Sequence, residues 1–203
     1  MGLMEMDGGQ PKGLFDGLTR EEFIKEAYPL RYQQALDHIA YDDTQKAIMH
    51  AIVDLRRSAI IIGSNGTGKT LMAYQCELDL RQAGVDARHI QALELFDVIR
   101  SRMAHDGDAL RYTLDRFGRP EALFIDEMDK SYGSQTEYLY FSSLIDSRYC
   151  DMKQTVLFGN FRDWQEVIGR IGQSNFDRLS QKGYGFRVTM TRGSYRQEAD
   201  RQA

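Results

Sequence analysis

The sequence predicts an α/β fold, a mostly parallel five-stranded sheet covered by helices on both faces. Three observations predict it. Short apolar runs alternate along the chain with longer amphipathic segments, as strands alternate with crossover helices. The runs are apolar nearly throughout, which marks strands buried on both faces. A glycine-rich turn joins one of them directly to the helix that follows.

The elements follow in order. Residues 1–27 read as a flexible tail, since residues 1–18 carry five of the 18 glycines; residues 28–203 read as the folded domain. Asp42 and Asp43 can cap a helix with Ile48, Ile52 and Leu55 on one face. Residues 58–62 (SAIII) form the first strand. A helix runs from Lys69 to about Gln82 and stops before Gly84. Residues 87–92 make a second strand, and 93–103 a helix striped by Leu95, Ile99 and Met103. Residues 121–125 (EALFI) make the third strand, and 136–149 a helix with Phe141, Leu144 and Ile145 inward. Residues 155–158 (TVLF) make the fourth strand, 164–171 a helix, and 186–190 (FRVTM) the fifth strand.

Composition narrows the class of molecule. The 203 residues include 26 Lys and Arg against 30 Asp and Glu, a net charge of −4. Strong unaided nucleic-acid binding is therefore not expected, and any affinity must come from local patches. There is no apolar run of about 18 residues, so no membrane span is expected. The first ten residues lack the apolar core of a secretory signal. Cys76 and Cys150 are the only cysteines and form no C-x-x-C, which argues against a disulfide or zinc framework and for a cytoplasmic setting. Cys76 reads as a small buried hydrophobe.

The decisive segment is Gly63-Ser64-Asn65-Gly66-Thr67-Gly68-Lys69-Thr70. It matches G-x-x-x-x-G-K-[ST] between a predicted strand and a predicted helix, the context of a P-loop. Glycines let successive backbone N–H groups turn inward around a phosphate, and the helix N-terminus adds partial positive charge. Lys69 can reach the β- and γ-phosphates, and the Thr70 hydroxyl can take a place on Mg²⁺. A second motif, Leu123-Phe124-Ile125-Asp126-Glu127, is an apolar strand ending in two carboxylates. Asp126 suits the Mg²⁺ water shell, and Glu127 suits a general base that polarises attacking water. Asn160, just beyond the fourth strand, could bond a γ-phosphate or that water.

Taken together, GSNGTGKT, LFIDE, TVLFGN, FDRLSQKG and GSYR resemble the AAA+ helicase loaders of the DnaC/DnaI type. The chain is also similar to the related IstB-type transposition ATPases. The resemblance spans roughly Tyr28 to Arg196, with the residues from Tyr28 to Tyr32 similar to the linker preceding the motor core. It implies a P-loop NTPase of AAA+ type without a full C-terminal lid domain, binding ATP and Mg²⁺. It implies that Asn160 is sensor I, that Arg178 is an arginine finger acting on a neighbouring subunit, and that Arg196 is a sensor-II-like contact to nucleotide. The activity implied is ATP hydrolysis between subunits of a homo-oligomer, loading a hexameric replicative helicase onto single-stranded DNA. Regulation of DNA transposition is the alternative, with duplex DNA and a transposase as partners. About 28 residues precede the linker, fewer than a helicase-binding domain requires. For single-stranded DNA the candidates are Arg100, Arg102, Arg111, Arg116 and Arg119, with Tyr112 and Phe117 available to stack on bases. Tyr132 and Ser134, after the acidic pair, form a second candidate.

Overall fold

The computed structural model describes residues 15, 17–36, 38–105, 109–130 and 134–191. Three helices come first: α1 (Arg20–Ala27), α2 (Leu30–Leu36) and α3 (Asp43–Val53). Then β1 (Ser58–Gly63) leads into α4 (Lys69–Gln82), and β2 (Ala87–Gln91) into α5 (Ala92–His105) and α6 (Ala109–Thr113). A π-helical turn, Leu114–Gly118, precedes β3 (Ala122–Asp126). A 3-10 turn, Met128–Lys130, precedes α7 (Gln135–Cys150) and β4 (Gln154–Gly159). The helices α8 (Trp164–Ile171) and α9 (Gln173–Ser180) lead to β5 (Gly185–Met190).

All five strands are parallel, in the order β2-β3-β4-β1-β5. Every residue of β1, β3 and β4 is buried, whereas the edge strand β5 is buried only at its two ends, Gly185 and Met190, with the residues between them half-buried or exposed. That is why the central strands read as unbroken apolar runs. Because side chains alternate across the sheet, each strand feeds two cores. Ile60, Ile62, Leu123, Ile125 and Leu157 pack with residues of α5, α7, α8 and α9. On the other face Ala59, Ile61, Phe124, Val156 and Phe158 pack with α3 and α4. Cys76 lies within that second core, fully buried.

Among the described residues three helices carry complete capping boxes, in which cap and third residue satisfy each other's free backbone groups. They are α1 (Thr19 with Glu22), α3 (Asp42 with Gln45) and α7 (Ser134 with Glu137). The first revises the sequence expectation for the tail. Residues 20–27 are helical, and Phe23 and Ile24 join Phe15, Tyr28 and Leu36 in a third cluster against Tyr74 and Leu78 of α4. A second revision concerns Leu55. It lies beyond the end of α3 and is 55% exposed, because Asp54 already terminates the helix whose apolar stripe it was to extend.

Candidate nucleotide site

The carboxyl ends of β1, β3 and β4 bring together three segments far apart in sequence, the usual position of a ligand crevice in an open α/β sheet. Gly63 ends β1 at φ +156°, and a Cβ there would come within 2.6 Å of the Met190 carbonyl oxygen on β5. Gly68, at φ +90°, caps α4 without a side chain. Glycine adopts that left-handed conformation without steric cost. The first turn of α4 thus opens onto the loop with its backbone N–H groups free of any side-chain cap. The loop is anchored from outside by Gln45, whose Nε2 donates to the Thr67 carbonyl at 3.2 Å. The Lys69 ammonium donates to the Gly63 and Ser64 carbonyls, both at 2.8 Å. Burial lowers its pKa to about 8, against the opposing pull of Asp126 and Asp129.

Asp126 is the last residue of β3 and is 2% exposed. Burial pushes its pKa up, but the His89 ring, the Thr70 hydroxyl and the Glu127 N–H outweigh this, and the carboxyl stays below its ordinary value. It is therefore an ionised group in a buried place. Its Oδ1 accepts from the Glu127 N–H at 2.7 Å, while Oδ2 has no hydrogen-bond partner. An ionised carboxylate short of partners, beside a threonine hydroxyl, is a fitting donor set for a hard divalent cation. Glu127 follows at φ +56°, in the left-handed region. That conformation costs a non-glycine residue about 1–2 kcal/mol. Its Oε1 accepts from the Lys130 ammonium at 2.6 Å.

Asn160 follows the end of β4 and is held by Asp129, a residue the sequence reading passed over. The Asp129 carboxylate accepts from the Asn160 backbone N–H at 2.7 Å and from its side-chain amide at 3.3 Å. The Asp129 carbonyl also accepts from Arg170 at 3.3 Å. Only the tertiary fold juxtaposes these residues, so local pattern could not reveal the pairing.

The loop, Asp126, Glu127 and Asn160 line a common cavity of about 400 Å³. It is also lined by α2 and the chain just after it, through Tyr32, Ala35 and Ile39 together with Arg31 and His38. The lining therefore joins an anion cradle to aromatic and aliphatic side chains. Such a cavity suits a phosphorylated aromatic ligand. The residues from Tyr28 to Tyr32 were noticed in sequence only as a linker; their aromatic content was the available signal for this part of the lining.

Other candidates lie elsewhere. Arg178 sits on α9, whose inner residues Phe176 and Leu179 pack on the sheet face opposite α4. Its guanidinium pairs with Asp146 of α7 at 2.7 Å and does not line the cavity. Arg196 and Tyr132 lie outside the described residues, as do the side chains of residues 102–110. Phe117 cannot stack on a base, being 1% exposed within the main core. Arg100 pairs with Asp97 and Glu137, while Arg111 and Arg119 both pair with Asp115. Arg100 is thus neutralised locally, whereas Arg111 and Arg119 share a single carboxylate and Arg116 donates to the Tyr112 hydroxyl. Ser134 spends its hydroxyl on the cap of α7. Among the described residues no group of three or more His, Cys, Asp or Glu side chains is placed to hold a metal ion, and no helix is long and apolar enough to cross a membrane.

Comparison with known proteins agrees with this geometry. The model of the family described as IstB-like ATP binding protein matches residues 24–203. No curated protein matches the chain. Among solved structures, the fold is similar to the DnaC helicase loader, with TM-score 0.66, 17% identity, and coverage of 81% of this chain and 100% of that one. It is similar to DnaI, with TM-score 0.63, 18% identity, and coverage of 83% and 94%. It also resembles the replication initiator DnaA bound to AMPPCP and single-stranded DNA, with TM-score 0.63, 16% identity, and coverage of 81% of this chain and 51% of that one. At such identities the likeness is one of fold, the AAA+ P-loop architecture. With its family model matched over nearly the whole described chain, and its P-loop, acidic pair and polar amide gathered at one crevice, the chain belongs to the IstB-like ATP binding proteins.

Proposed function

We propose that the chain is a Mg²⁺-dependent ATPase that loads a hexameric replicative helicase onto single-stranded DNA, hydrolysing ATP between subunits of a homo-oligomer. The observation that carries the ATPase reading is the convergence of Lys69, Asp126, Glu127 and Asn160 on one cavity that Tyr32 and Ile39 also line. Lys69 and the loop N–H groups of residues 63–70 hold the β- and γ-phosphates. Thr70 and Asp126 hold the metal, which when bound supplies charge neutralisation of the phosphate oxygens. Tyr32 and Ile39 flank the base. Glu127, released from Lys130, takes the proton of the attacking water, and Asn160, fixed by Asp129, orients that water or the γ-phosphate.

Arg178 lies off its own cavity and partly exposed, which suits a finger offered to a neighbour's ATP. The loader reading is supported by the likeness to DnaC, which extends over the whole of that chain. The family match over 24–203 favours a second reading, an IstB-like ATPase that regulates DNA transposition.

Capture by the host hexameric helicase with and without ATP separates the two. ATP-dependent capture supports the loader. Absence of capture, together with ATP-dependent binding to duplex DNA and a transposase, supports the transposition ATPase. Within either reading, Lys69→Ala should abolish nucleotide binding. Glu127→Gln should bind ATP normally and lower turnover at least 100-fold, and normal turnover in that variant would remove Glu127 as the base.

A further inference from the structure

His89 lies on β2, two residues before Gln91, which pairs with Asp126 across the β2–β3 ladder. With a side-chain period of two, His89 and Asp126 face the same side of the sheet, toward α4. Their closest atoms, His89 Nε2 and Asp126 Oδ2, are 3.8 Å apart, and the side chains are 7% and 3% exposed. Neither atom has a hydrogen-bond partner. Two buried orphans facing each other are unusual, since nearly all buried polar atoms are satisfied. A shift of about 1 Å would bring them to hydrogen-bonding distance. The imidazole is held for that approach from two sides. Its ring packs on Tyr74 with centroids 4.4 Å apart, and its backbone N–H donates to Glu77 Oε1 at 3.2 Å.

We propose that His89 is a positioning residue for Asp126, donating its Nε2–H to the second carboxylate oxygen and so fixing the carboxylate for the divalent cation. The inference rests on the reading of Asp126 as the metal carboxylate. It follows the general logic by which groups behind a metal ligand set its orientation and strength. Oδ1 is already engaged by the Glu127 N–H; a donor on Oδ2 would immobilise the group from both ends.

The test measures Mn²⁺ affinity by paramagnetic resonance of free Mn²⁺, on the full chain saturated with a non-hydrolysable ATP analogue. His89→Phe keeps an aromatic ring on Tyr74 but has no donor. It should weaken Mn²⁺ binding about ten-fold or more, while binding of the analogue in EDTA stays as in the wild type. His89→Gln restores an N–H donor and should recover most of the loss. His89→Met, also without a donor, takes the place of His89→Phe if that variant does not fold. Mn²⁺ affinity within two-fold of wild type in the donor-free variant overturns the proposal. So does a His89→Gln variant as weak as His89→Phe, because the role is then one of packing. Asp126→Asn serves as the control. If it weakens Mn²⁺ binding and His89→Phe does not, only the role of His89 falls. If it leaves Mn²⁺ binding unchanged, the metal reading of Asp126 falls and the proposal with it.

Discussion

Arg148 ties several segments of the fold together through one buried charge. It is fully buried on α7, yet its guanidinium is satisfied by oxygen atoms from several segments. Nε donates to the Thr155 hydroxyl at 2.8 Å, Nη1 to the Phe117 and Pro120 carbonyls at 2.9 and 2.8 Å, and Nη2 to the Gln154 carbonyl. Burial pulls its pKa down to about 10, against the raising effect of Tyr184 and two aspartates, so the group remains charged at neutral pH. It ties the π-helical turn to the starts of β3 and β4. Arg148→Met removes the charge but leaves several buried acceptors unpaired, and should cost about 3 kcal/mol or more. That corresponds to a Tm lower by roughly 6–12 °C, measurable by thermal unfolding. Arg148→Lys should fare little better, because a point ammonium cannot reproduce the planar fork. At the site, Asp129 plays a comparable positioning part for Asn160. Asp129→Ala should lower kcat about ten-fold or more through misplacement of the amide, with the KM for ATP near the wild-type value. An unchanged kcat would show that Asn160 needs no such support.

Among the elements, α1 and α2 are the ones whose importance local sequence understated. The segment REEFIKEA offers only two buried apolar residues, Phe23 and Ile24, too few to register as an amphipathic stripe. Its partner surface is the outer side of α4, about fifty residues away, where Tyr28 stacks on Tyr74 with centroids 4.2 Å apart and its hydroxyl donates to Glu77 at 2.7 Å. The central strands were legible for the opposite reason. Each is buried on both faces, so five or six residues in a row carry the signal without reference to any partner. The same contrast runs through the site. The P-loop and the acidic pair are contiguous motifs whose chemistry is local. The placement of Asp129, and the parts proposed for His89 and Tyr32, depend on segments brought alongside by the sheet and by α2. In the arginine-rich stretch the sequence could not show which charges are paired: Arg100 meets Asp97 and Glu137, and Arg111 and Arg119 share Asp115. Since Tyr32 lines the cavity and also touches Tyr74 at 5.0 Å between centroids, the N-terminal helices should act on nucleotide as well as on stability. Tyr32→Ala should weaken ATP binding about ten-fold through loss of stacking surface, as read by titration with a fluorescent ATP analogue. Undiminished affinity would place the base elsewhere.

For the whole molecule, the separation of Arg178 from the cavity of its own chain carries the strongest consequence. The helix bearing it packs on one face of the sheet and α4 on the other, and Asp146 holds its guanidinium at the surface. That ion pair is partly exposed and worth less than about 1 kcal/mol, so it orients the side chain without locking it away. On the proposed reading, hydrolysis needs a P-loop from one subunit and a finger from the next. Arg178→Ala should bind ATP as the wild type does yet hydrolyse it poorly, and Lys69→Ala should do neither. Mixed in equal amounts, the two variants should regain activity, because a junction between an intact P-loop and an intact finger arises at about one quarter of the interfaces in a randomly assembled cyclic or helical oligomer. Specific activity should also rise with total protein concentration, as assembly precedes turnover. Steady-state phosphate release across a range of mixing ratios measures both effects, and the recovered rate should peak near equal proportions. A mixture no more active than its parts, under conditions where the wild type is active and assembled, would mean that Arg178 does not act across subunits and that each chain completes its own site.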